Sequence, residues 1–363
     1  MIFILSNMRE YGGAEKSIAT FLPHIVAKMP VRIFVENDKH RADCEAVPGI
    51  QITRTAKGNS PIAILKTFFL ILRAFSKERP EQLLANGHKG ALFLVLLRTL
   101  YPPARKARYA IFIRDFDYYW LGKFLPFLPG CHLLAPCQAV FDSERYKGWG
   151  IDKYRQTVIE NAAELSTAAP VPDQGWVGLL ARLLPWKGVE YAIRAMRIVA
   201  DKIPDAKLRI YGEAIGTEYV ASLHSLIAEL NLAANVEFCA HTRDVASVYR
   251  GGALFLVTSL NQVPGPEAFG RVVIEAWSHR RPVIAFACGG PKHLIDDGID
   301  GYLVHEKDTA VLAEDIIELL EDPALRRSFG EAGYAKVRGR FNPETLAARL
   351  LETLSPANVP PNA

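Results

Sequence analysis

Two glutamates, Glu267 and Glu275, are separated by seven residues in a stretch whose other residues suit the binding of an anion. Glu267 lies in a turn rich in Pro and Gly, and this turn leads into a segment of helix length. The first N–H groups of a helix have no partner within the helix and carry partial positive charge, so they favour a phosphate. Carboxylates beside a phosphate do not help by their charge, but they accept hydrogen bonds from sugar hydroxyls. The pair therefore indicates a phosphate-bearing ligand with a sugar on each side.

Two cations, Arg182 and Lys187, supply the positive charge that such a ligand requires. They lie five residues apart in a turn that follows the apolar run 176–180 and opens a helix. An Arg guanidinium is a planar fork and a Lys ammonium is a point charge, and both can converge on one diphosphate. The spacing predicts a diphosphate site at this turn.

Strand-turn-helix units must position these residues. The apolar runs 253–257 and 282–286 have strand length and flank the segment that carries both glutamates, which predicts one βαβ unit with buried parallel strands. Near the start, the apolar run 2–5 leads to Gly12-Gly13, where the backbone can approach a ligand without a Cβ in the way.

Further strands and helices alternate along the first half of the chain. An α/β layered domain with a parallel sheet is therefore predicted. The predicted strands are 31–36, 83–85 and 109–113, and the predicted helices are about 17–27, 62–77 and 91–100.

The chemistry-bearing stretches together resemble the signature of the retaining family-4 glycosyltransferases, also called glycosyl transferases group 1. The resemblance rests on Glu267-x7-Glu275 with Phe269-Gly270 inside it, and on Pro282-Val283 and Gly289-Gly290 after it. The spacing of Arg182 and Lys187 matches the G-R-L…K-G motif of that family, with Ala181 in place of its Gly. The resemblance implies an α/β protein of the GT-B fold, in which two Rossmann-like domains with parallel sheets face a central cleft.

The same resemblance implies the division of labour between the domains. Residues 1–165 are expected to bind the acceptor and residues 166–342 the nucleotide-sugar donor, while a final helix at 343–356 is expected to pack back on the first domain. The implied reaction moves a sugar from a nucleoside-diphosphate sugar to a saccharide or lipid-linked saccharide acceptor, in surface polysaccharide or glycolipid biosynthesis. It retains the anomeric configuration and uses no metal or other cofactor.

Residue roles follow from the resemblance alone. Arg182 and Lys187 would stabilise the departing phosphate, Glu267 would contact the transferred sugar, and Glu275 would hold the nucleotide ribose. The other donor-binding positions that it implies are Gly12, Gly13, Thr242, Arg243, Ala268, Phe269, Gly270 and Arg271.

The segment after strand 109–113 leaves alternatives open. Arg114 stands where the family usually has a His followed by an acidic residue, so Arg114 or Asp115 is expected to contact sugar or phosphate. Asp115-x-Asp117 also matches the metal-binding acid pair of the other large glycosyltransferase fold. A protein that binds a nucleotide sugar without catalysis, and a sugar phosphorylase that uses pyridoxal phosphate, are the remaining alternatives.

Length and composition indicate the number of domains and the cellular compartment. A chain of 363 residues, half of them hydrophobic, has the length for two or three domains and the composition of an ordinary globular protein. Five cysteines without paired spacing favour a reducing compartment. The apolar run near the start is shorter than a signal peptide requires, so a cytoplasmic location is expected.

Charge is distributed unevenly between the two halves. Through Leu165 the chain has 23 Lys and Arg against 15 Asp and Glu, and the remainder has 20 against 24. The helix at 61–77 carries Lys66, Arg73 and Lys77 on one stripe above an apolar remainder. This pattern is typical of a helix packed on the sheet with a cationic outer face, and the alternative is a helix that lies on an anionic membrane surface, which would then be a partner. No aromatic-interleaved basic motif accompanies the charges, so nucleic acid is not an expected partner.

Overall fold

The chain folds into two compact units. The computed structural model describes residues 1–114, 116, 121–146, 148–168, 172–214, 216–240, 242, 244–262 and 266–355. Unit 1 comprises Met1–Ala162 together with Pro343–Ala363, and unit 2 comprises Ala163–Asn342. The division falls three residues before the boundary predicted from the sequence.

Unit 1 is built on a seven-stranded parallel sheet. Its strands are β1 (Ile2–Ser6), β2 (Val31–Val35), β3 (Gln51–Arg54), β4 (Gln82–Asn86), β5 (Arg108–Phe112), β6 (His132–Ala135) and β7 (Arg155–Val158). The strand order across the sheet is β3-β2-β1-β4-β5-β6-β7. Every residue of β1 and of β4 is buried, as expected for central strands covered by helices on both faces.

Helices connect the strands of unit 1. They are α1 (Gly13–Val26), α2 (Asp38–Glu45), α3 (Pro61–Glu78), α4 (His88–Leu100), α5 (Leu121–Phe124) and α6 (Gln138–Phe141). The strands predicted near β1, β2, β4 and β5 and the helices predicted near α1, α3 and α4 are confirmed. The sequence reading missed α2, β3, β6 and β7, which are short elements of four to eight residues.

Unit 2 repeats the same plan with six parallel strands. Its strands are β8 (Val177–Leu180), β9 (Leu208–Tyr211), β10 (Val236–Cys239), β11 (Leu254–Val257), β12 (Val283–Phe286) and β13 (Gly301–Val304). Their order is β10-β9-β8-β11-β12-β13. The helices are α7 (Val189–Lys202), α8 (Thr217–Glu229), α9 (Val245–Gly251), α10 (Arg271–Ser278), α11 (Pro291–Leu294), α12 (Thr309–Glu321) and α13 (Pro323–Arg340).

The βαβ unit predicted around the two glutamates is confirmed. Strand β11 pairs in parallel with β12, and α10 lies between them in sequence. The turn that holds Glu267 therefore follows the carboxyl end of a buried strand and precedes the amino end of a helix.

The last helix, α14 (Pro343–Thr353), belongs to unit 1 although unit 2 precedes it. Leu346, Ala347 and Leu350 of α14 lie in one core cluster with Phe21 and Leu22 of α1.

Strand order identifies one position of interest in each sheet. The order reverses between β1 and β4 in unit 1 and between β8 and β11 in unit 2. Ligands of open parallel sheets bind beyond the carboxyl ends of the strands at such a reversal. The residues that follow these four strands are therefore the first place to look for a site.

Candidate functional site

Lys187 and Glu267 meet at the strand-order reversal of unit 2. Lys187 ends a short 3-10 turn, Pro185–Lys187, after β8, and Glu267 lies between β11 and α10. The Lys187 ammonium donates a hydrogen bond to Glu267 Oε2, and Ser259 Oγ donates to the same oxygen at 3.4 Å. The two charged side chains are 14% and 20% exposed, so the pair is largely buried yet reachable from solvent.

The turn that carries Lys187 is docked on the segment after β11. Thr258 Oγ1 donates to the Lys187 carbonyl at 2.9 Å, and the Leu260 amide donates to the Trp186 carbonyl at 2.8 Å. At Gly188, φ is +60°, and a Cβ would come within 2.2 Å of the Thr258 carbonyl oxygen. Glycine is therefore required here on both counts, and the close approach brings Lys187 to Glu267.

Electrostatics keeps Glu267 ionised. Burial raises the pKa of the Glu267 carboxyl, but the charge of Lys187, hydrogen bonds from Lys187 and Ser259, and the charge of Arg182 together outweigh burial. The net pKa is lowered from its ordinary value. Arg182 is exposed and lies close enough to act on this carboxylate, so both predicted cations surround one acid.

Gly289 and Gly290 hold the backbone of the Glu267 turn. The Gly290 amide donates to the Glu267 carbonyl at 2.7 Å. A Cβ on Gly289 would come within 2.2 Å of that carbonyl oxygen, and a Cβ on Gly290 within 2.3 Å of Phe269 Cα. The Gly-Gly pair singled out from the sequence is thus explained by close packing on the turn.

The predicted donor-binding positions after Glu267 lead into α10. Ala268 is half-buried, Phe269 is buried with its ring against Phe341, and Gly270 is the buried N-cap residue with φ of +92°. Arg271 begins the helix, so the turn delivers first-turn amides at this point.

Glu275 is held by two partners on α9 and α10. Arg271 Nε and Nη2 donate to Glu275 Oε1 at 3.1 and 2.8 Å, and the Tyr249 hydroxyl donates to Oε2 at 2.9 Å. Burial, and secondarily the Glu275 charge, raise the pKa of Tyr249 well above its ordinary value, so the hydroxyl stays protonated as a donor. The carboxylate is therefore fixed in orientation by these two partners.

The predicted base-pocket residues lie before α9. Thr242 is half-buried, and its Oγ1 accepts from the Asp244 amide at 3.1 Å, while Asp244 caps α9. Arg243 lies outside the described residues.

In unit 1, Gly12 and Gly13 form the start of α1. Gly12 is the N-cap residue, its amide donates to Glu15 Oε2 at 3.0 Å, and Gly13 is exposed. The loop between β1 and α1 thus brings Gly13 to the surface near the strand-order reversal of unit 1.

Arg114 is buried in a polar network beyond β5. Its guanidinium donates to Asn86 Oδ1 at 2.6 Å, to Asn161 Oδ1 at 3.0 Å and to Ser17 Oγ at 3.1 Å. Its Cζ also lies 3.3 Å from the centroid of the Phe112 ring. These bonds join β4, α1 and the segment after β7. A sugar or phosphate contact by Arg114 stays a prediction, and Asp115 and Asp117 lie outside the described residues.

Asn7 is a residue that the sequence reading missed. It follows β1 directly and is 1% exposed, yet neither its Oδ1 nor its Nδ2 has a hydrogen-bond partner among the described residues. Buried polar groups are nearly always paired, so this amide is a candidate to bind a ligand group or a water molecule. No local pattern marks it, although its place after β1 could have drawn attention.

Within the described parts of the chain, no group of three His, Cys, Asp or Glu residues is arranged to hold a metal ion. Of the described helices, none combines the length and the apolar character needed to cross a bilayer.

Comparison with known protein families relates unit 2 to one family. Residues 168–336 match the family described as glycosyl transferases group 1, and they span nearly all of this unit. The second unit is a glycosyl transferases group 1 domain.

Curated relatives of this chain match over part of their length. A D-inositol 3-phosphate glycosyltransferase of Corynebacterium aurimucosum is 32% identical over 161 residues, which is 43% of this chain and 37% of the relative. A GDP-mannose-dependent monoacylated alpha-(1-6)-phosphatidylinositol monomannoside mannosyltransferase of Corynebacterium glutamicum is 32% identical over 178 residues, 48% of this chain and 45% of the relative. The chain thus matches less than half of either relative.

Solved structures match over almost the full length. The Anabaena protein Alr3699/HepE, solved in complex with UDP and glucose, has a TM-score of 0.79 at 22% identity, covering 98% of this chain and 99% of that one. A glycosyltransferase from Rickettsia africae has a TM-score of 0.80 at 18% identity, covering 100% and 99%. With one Rossmann-like parallel sheet in each unit, this likeness shows the GT-B fold.

Proposed function

We propose that this chain is a glycosyltransferase that moves a sugar from a nucleoside-diphosphate sugar to a saccharide or lipid-linked saccharide, with retention at the anomeric carbon and without a metal. The observation that carries the proposal is the Lys187–Glu267 pair beside Arg182 at the strand-order reversal of the group 1 domain. Two cations and one ionised acid, in a turn region that leads into a helix amino end, match a diphosphate with a sugar attached.

Charge development in the reaction explains the arrangement. When the bond to the anomeric carbon breaks, the diphosphate gains negative charge and the sugar ring gains positive charge. Lys187 and Arg182 would stabilise the departing phosphate, helped by the first-turn amides of α10. A Lys ammonium has three donors, so it can keep its bond to Glu267 while it binds a phosphate oxygen. Glu267 thereby holds the ammonium in place before the donor arrives and can accept from a sugar hydroxyl through its remaining lone pairs.

Glu275 is suited to the ribose of the same donor. With Arg271 on one oxygen and Tyr249 on the other, its orientation is fixed, and it can accept a further hydrogen bond from a hydroxyl. A fixed acceptor loses less conformational entropy on binding than a mobile one.

The proton of the acceptor hydroxyl can be removed without a protein base. A donor phosphate oxygen, becoming more basic as the bond to the sugar breaks, would take the proton from the attacking hydroxyl. Unit 1 would bind the acceptor through the residues that follow β1, which include Gly13 and the buried amide of Asn7.

Similar proteins support a more specific expectation for the donor within this proposal. The Anabaena structure contains UDP and glucose, and one relative is GDP-mannose-dependent. We therefore expect a UDP- or GDP-sugar donor. An acceptor in surface polysaccharide or glycolipid biosynthesis, and a cytoplasmic location at the inner face of a membrane, are parts of the same proposal.

Nucleotide binding provides the first test. A thermal-shift screen with UDP, GDP, dTDP and ADP should raise the melting temperature with one of them, because a ligand that binds only the folded state stabilises it by mass action. The matching nucleotide sugar should then release the nucleotide in the presence of acceptor, and the product anomer should have the configuration of the donor. Binding without any turnover would instead support a nucleotide-sugar-binding protein.

Removal of Lys187 is the decisive variant. Lys187→Ala should lower transfer by on the order of 100-fold or more, as expected for loss of a donor to the leaving group. Lys202→Ala is the matched control, because Lys202 ends α7, about 20 Å along the helix from its start, and forms an exposed pair with Glu321. Equal activity of the two variants would contradict the proposal.

Chelation tests the metal alternative at Asp115 and Asp117. Transfer should persist in the presence of excess EDTA if positive charge comes from Arg182, Lys187 and α10. Loss of transfer that Mg²⁺ or Mn²⁺ restores would show that a divalent cation carries the charge instead.

A further inference from the structure

The outward face of α3 combines large apolar side chains with cations. Four apolar residues of this 18-residue helix are between 39% and 67% exposed, and they are Ile62, Leu65, Phe69 and Leu70. The opposite face is buried in unit 1 through Ala63, Thr67, Phe68, Ile71 and Phe75. The helical period places Ile62, Leu65 and Phe69 together on the side that faces away from the sheet, with Leu70 at the other edge of the same side.

Three cations share this outward face. Lys66, Arg73 and Lys77 are exposed, and none of them forms an ion pair with any residue that the structure describes. The one acid of the helix, Glu78, is turned to Arg32 of β2 at 2.6 Å. The outward face of α3 is therefore cationic and apolar and carries no negative charge.

A neighbouring element extends the same character. Leu100 at the end of α4 is 62% exposed, and the ring of Tyr101 after it contacts the Phe75 ring of α3 at 5.9 Å between centroids. Arg105 and Lys106 are exposed in the 3-10 turn that follows, Pro102–Lys106. Apolar and basic side chains thus continue beyond the helix itself.

We propose that this face of α3 docks on a bilayer that contains anionic lipids. A helix with this composition lies in the membrane interface with its apolar side chains among the acyl chains and its cations at the headgroups. A protein partner would equally cover apolar residues, but the absence of any acid on a face with three cations favours a surface of one charge sign. The docking surface does not rest on the proposed sugar transfer, because it lies on residues outside the donor and acceptor positions.

Vesicle binding tests the docking surface. The full chain is sedimented with vesicles of phosphatidylcholine alone and with vesicles that also contain phosphatidylglycerol. We expect binding to the anionic vesicles, with weaker binding to the neutral ones and at about 0.5 M NaCl, where the Debye length falls to a few ångströms. Equal binding to both compositions, or no binding to either, would overturn the proposal.

Variants of α3 separate the two contributions. Lys66→Gln with Arg73→Gln should weaken binding to anionic vesicles about 25-fold, because each cation near such a surface contributes roughly fivefold. Leu65→Ser with Phe69→Ser should weaken it at least tenfold through lost apolar burial. These positions are exposed, so thermal unfolding and nucleotide binding should be unchanged.

Matched controls lie in unit 2. Arg194→Gln with Lys202→Gln makes the same change in net charge on α7, and Ile299→Ser removes a side chain that is 60% exposed. Neither control should alter vesicle binding. If the α3 variants instead abolish a dimer measured without vesicles and leave vesicle binding intact, the face is a protein interface and the membrane proposal is wrong.

Discussion

At the scale of single residues, one ion pair joins two sequence-distant positions. Lys187 and Glu267 are 80 residues apart in the chain, and each was singled out from its own local pattern. Their contact gives both a second role, because each charge compensates for the partial burial of the other. Removal of one partner leaves a buried charge behind, which is the costly case for such pairs.

A single variant and a double variant should therefore distinguish the effect of the pair on stability from its effect on function. Lys187→Met should destabilise the protein by about 2 kcal/mol, between the values for exposed and fully buried pairs. Adding Glu267→Gln should recover most of that stability, because no uncompensated charge remains, while nucleotide binding and transfer stay low. Urea unfolding and the thermal-shift assay measure the two properties. If the double variant recovered transfer together with stability, the pair would have a structural role only.

The Lys187–Glu267 pair also predicts how the free energy of unfolding changes with pH. The folded-state pKa of Glu267 is lowered from an ordinary value of 4.5, so the pair adds stability above that pH and loses it as the pH falls through the lowered pKa. The unfolding free energy of the wild type minus that of Lys187→Met/Glu267→Gln should be constant at neutral pH and should fall below about pH 4.5. A difference that grows on acidification would contradict this assignment.

Asn7 is the opposite case, because its buried side-chain amide has no hydrogen-bond partner among the described residues. An unpaired buried amide costs about 1–3 kcal/mol, so replacement by an apolar group of similar shape should not harm the fold. Asn7→Leu should keep or raise the melting temperature and should lower transfer about tenfold or more through loss of a bond to a substrate hydroxyl.

Asn235 supplies the control for this substitution. Its side-chain nitrogen donates to the Pro204 and Ala206 carbonyls at 2.8 and 2.9 Å, so Asn235→Leu should be clearly destabilising. If Asn7→Leu were as destabilising as Asn235→Leu and kept full transfer, Asn7 would have a structural role.

At the scale of elements, the turn before α10 is shaped by a neighbouring turn. Gly290 has φ of −61°, which any residue adopts, so its requirement is steric. A Cβ there would press on Phe269 at 2.3 Å and displace the backbone that presents Glu267. Gly290→Ala should cost about 1–3 kcal/mol, as overpacking does, and should weaken nucleotide binding.

A second glycine shows what the same substitution does without crowding. Gly339 lies inside α13, and a Cβ there would meet nothing within 4 Å. Gly339→Ala should stabilise the protein by about 0.5–1 kcal/mol and leave nucleotide binding unchanged. Thermal unfolding and nucleotide titration of both variants check the contrast, and equal effects would show that the Gly290 contact is not tight.

Sequence patterns predicted those parts of the fold whose strands, turns and helices follow one another directly in the chain. The β11-α10-β12 unit follows from apolar runs and turn residues that are contiguous in sequence. The network around Arg114 could not be predicted this way, because its bond to Ser17 spans 97 residues. Tyr249 was missed for the same reason, since its hydroxyl reaches Glu275 across 26 residues and an isolated Tyr in a helix reads as core.

At the scale of the whole molecule, the two units share one arrangement of strands and polar residues. In each unit the strand order reverses beside the first strand, and polar residues lie at or after the carboxyl ends of the strands there. These residues are Asn7 and Asn86 in unit 1 and Lys187 and Ser259 in unit 2. Sequence motifs predicted the site residues of unit 2 one by one, and the structure brings two of them, Lys187 and Glu267, into contact. In unit 1 the sequence predicted fewer positions, among them Gly12, Gly13 and Arg114, because few loops of that unit follow a family pattern.

The return of α14 to unit 1 makes the chain end part of the first fold. Leu350 is fully buried in the core cluster that contains Phe21 and Leu22 of α1, so Leu350→Ala should destabilise unit 1 by about 2–5 kcal/mol. Amide hydrogen exchange should quicken in α1 and β1 and stay unchanged in β8 and β11, because unit 2 has its own core clusters. Arg349→Ala, at an exposed position of the same helix, should change exchange little in either unit. Faster exchange in β8 and β11 with Leu350→Ala would show that the two units unfold as one, contrary to the division seen in their contacts.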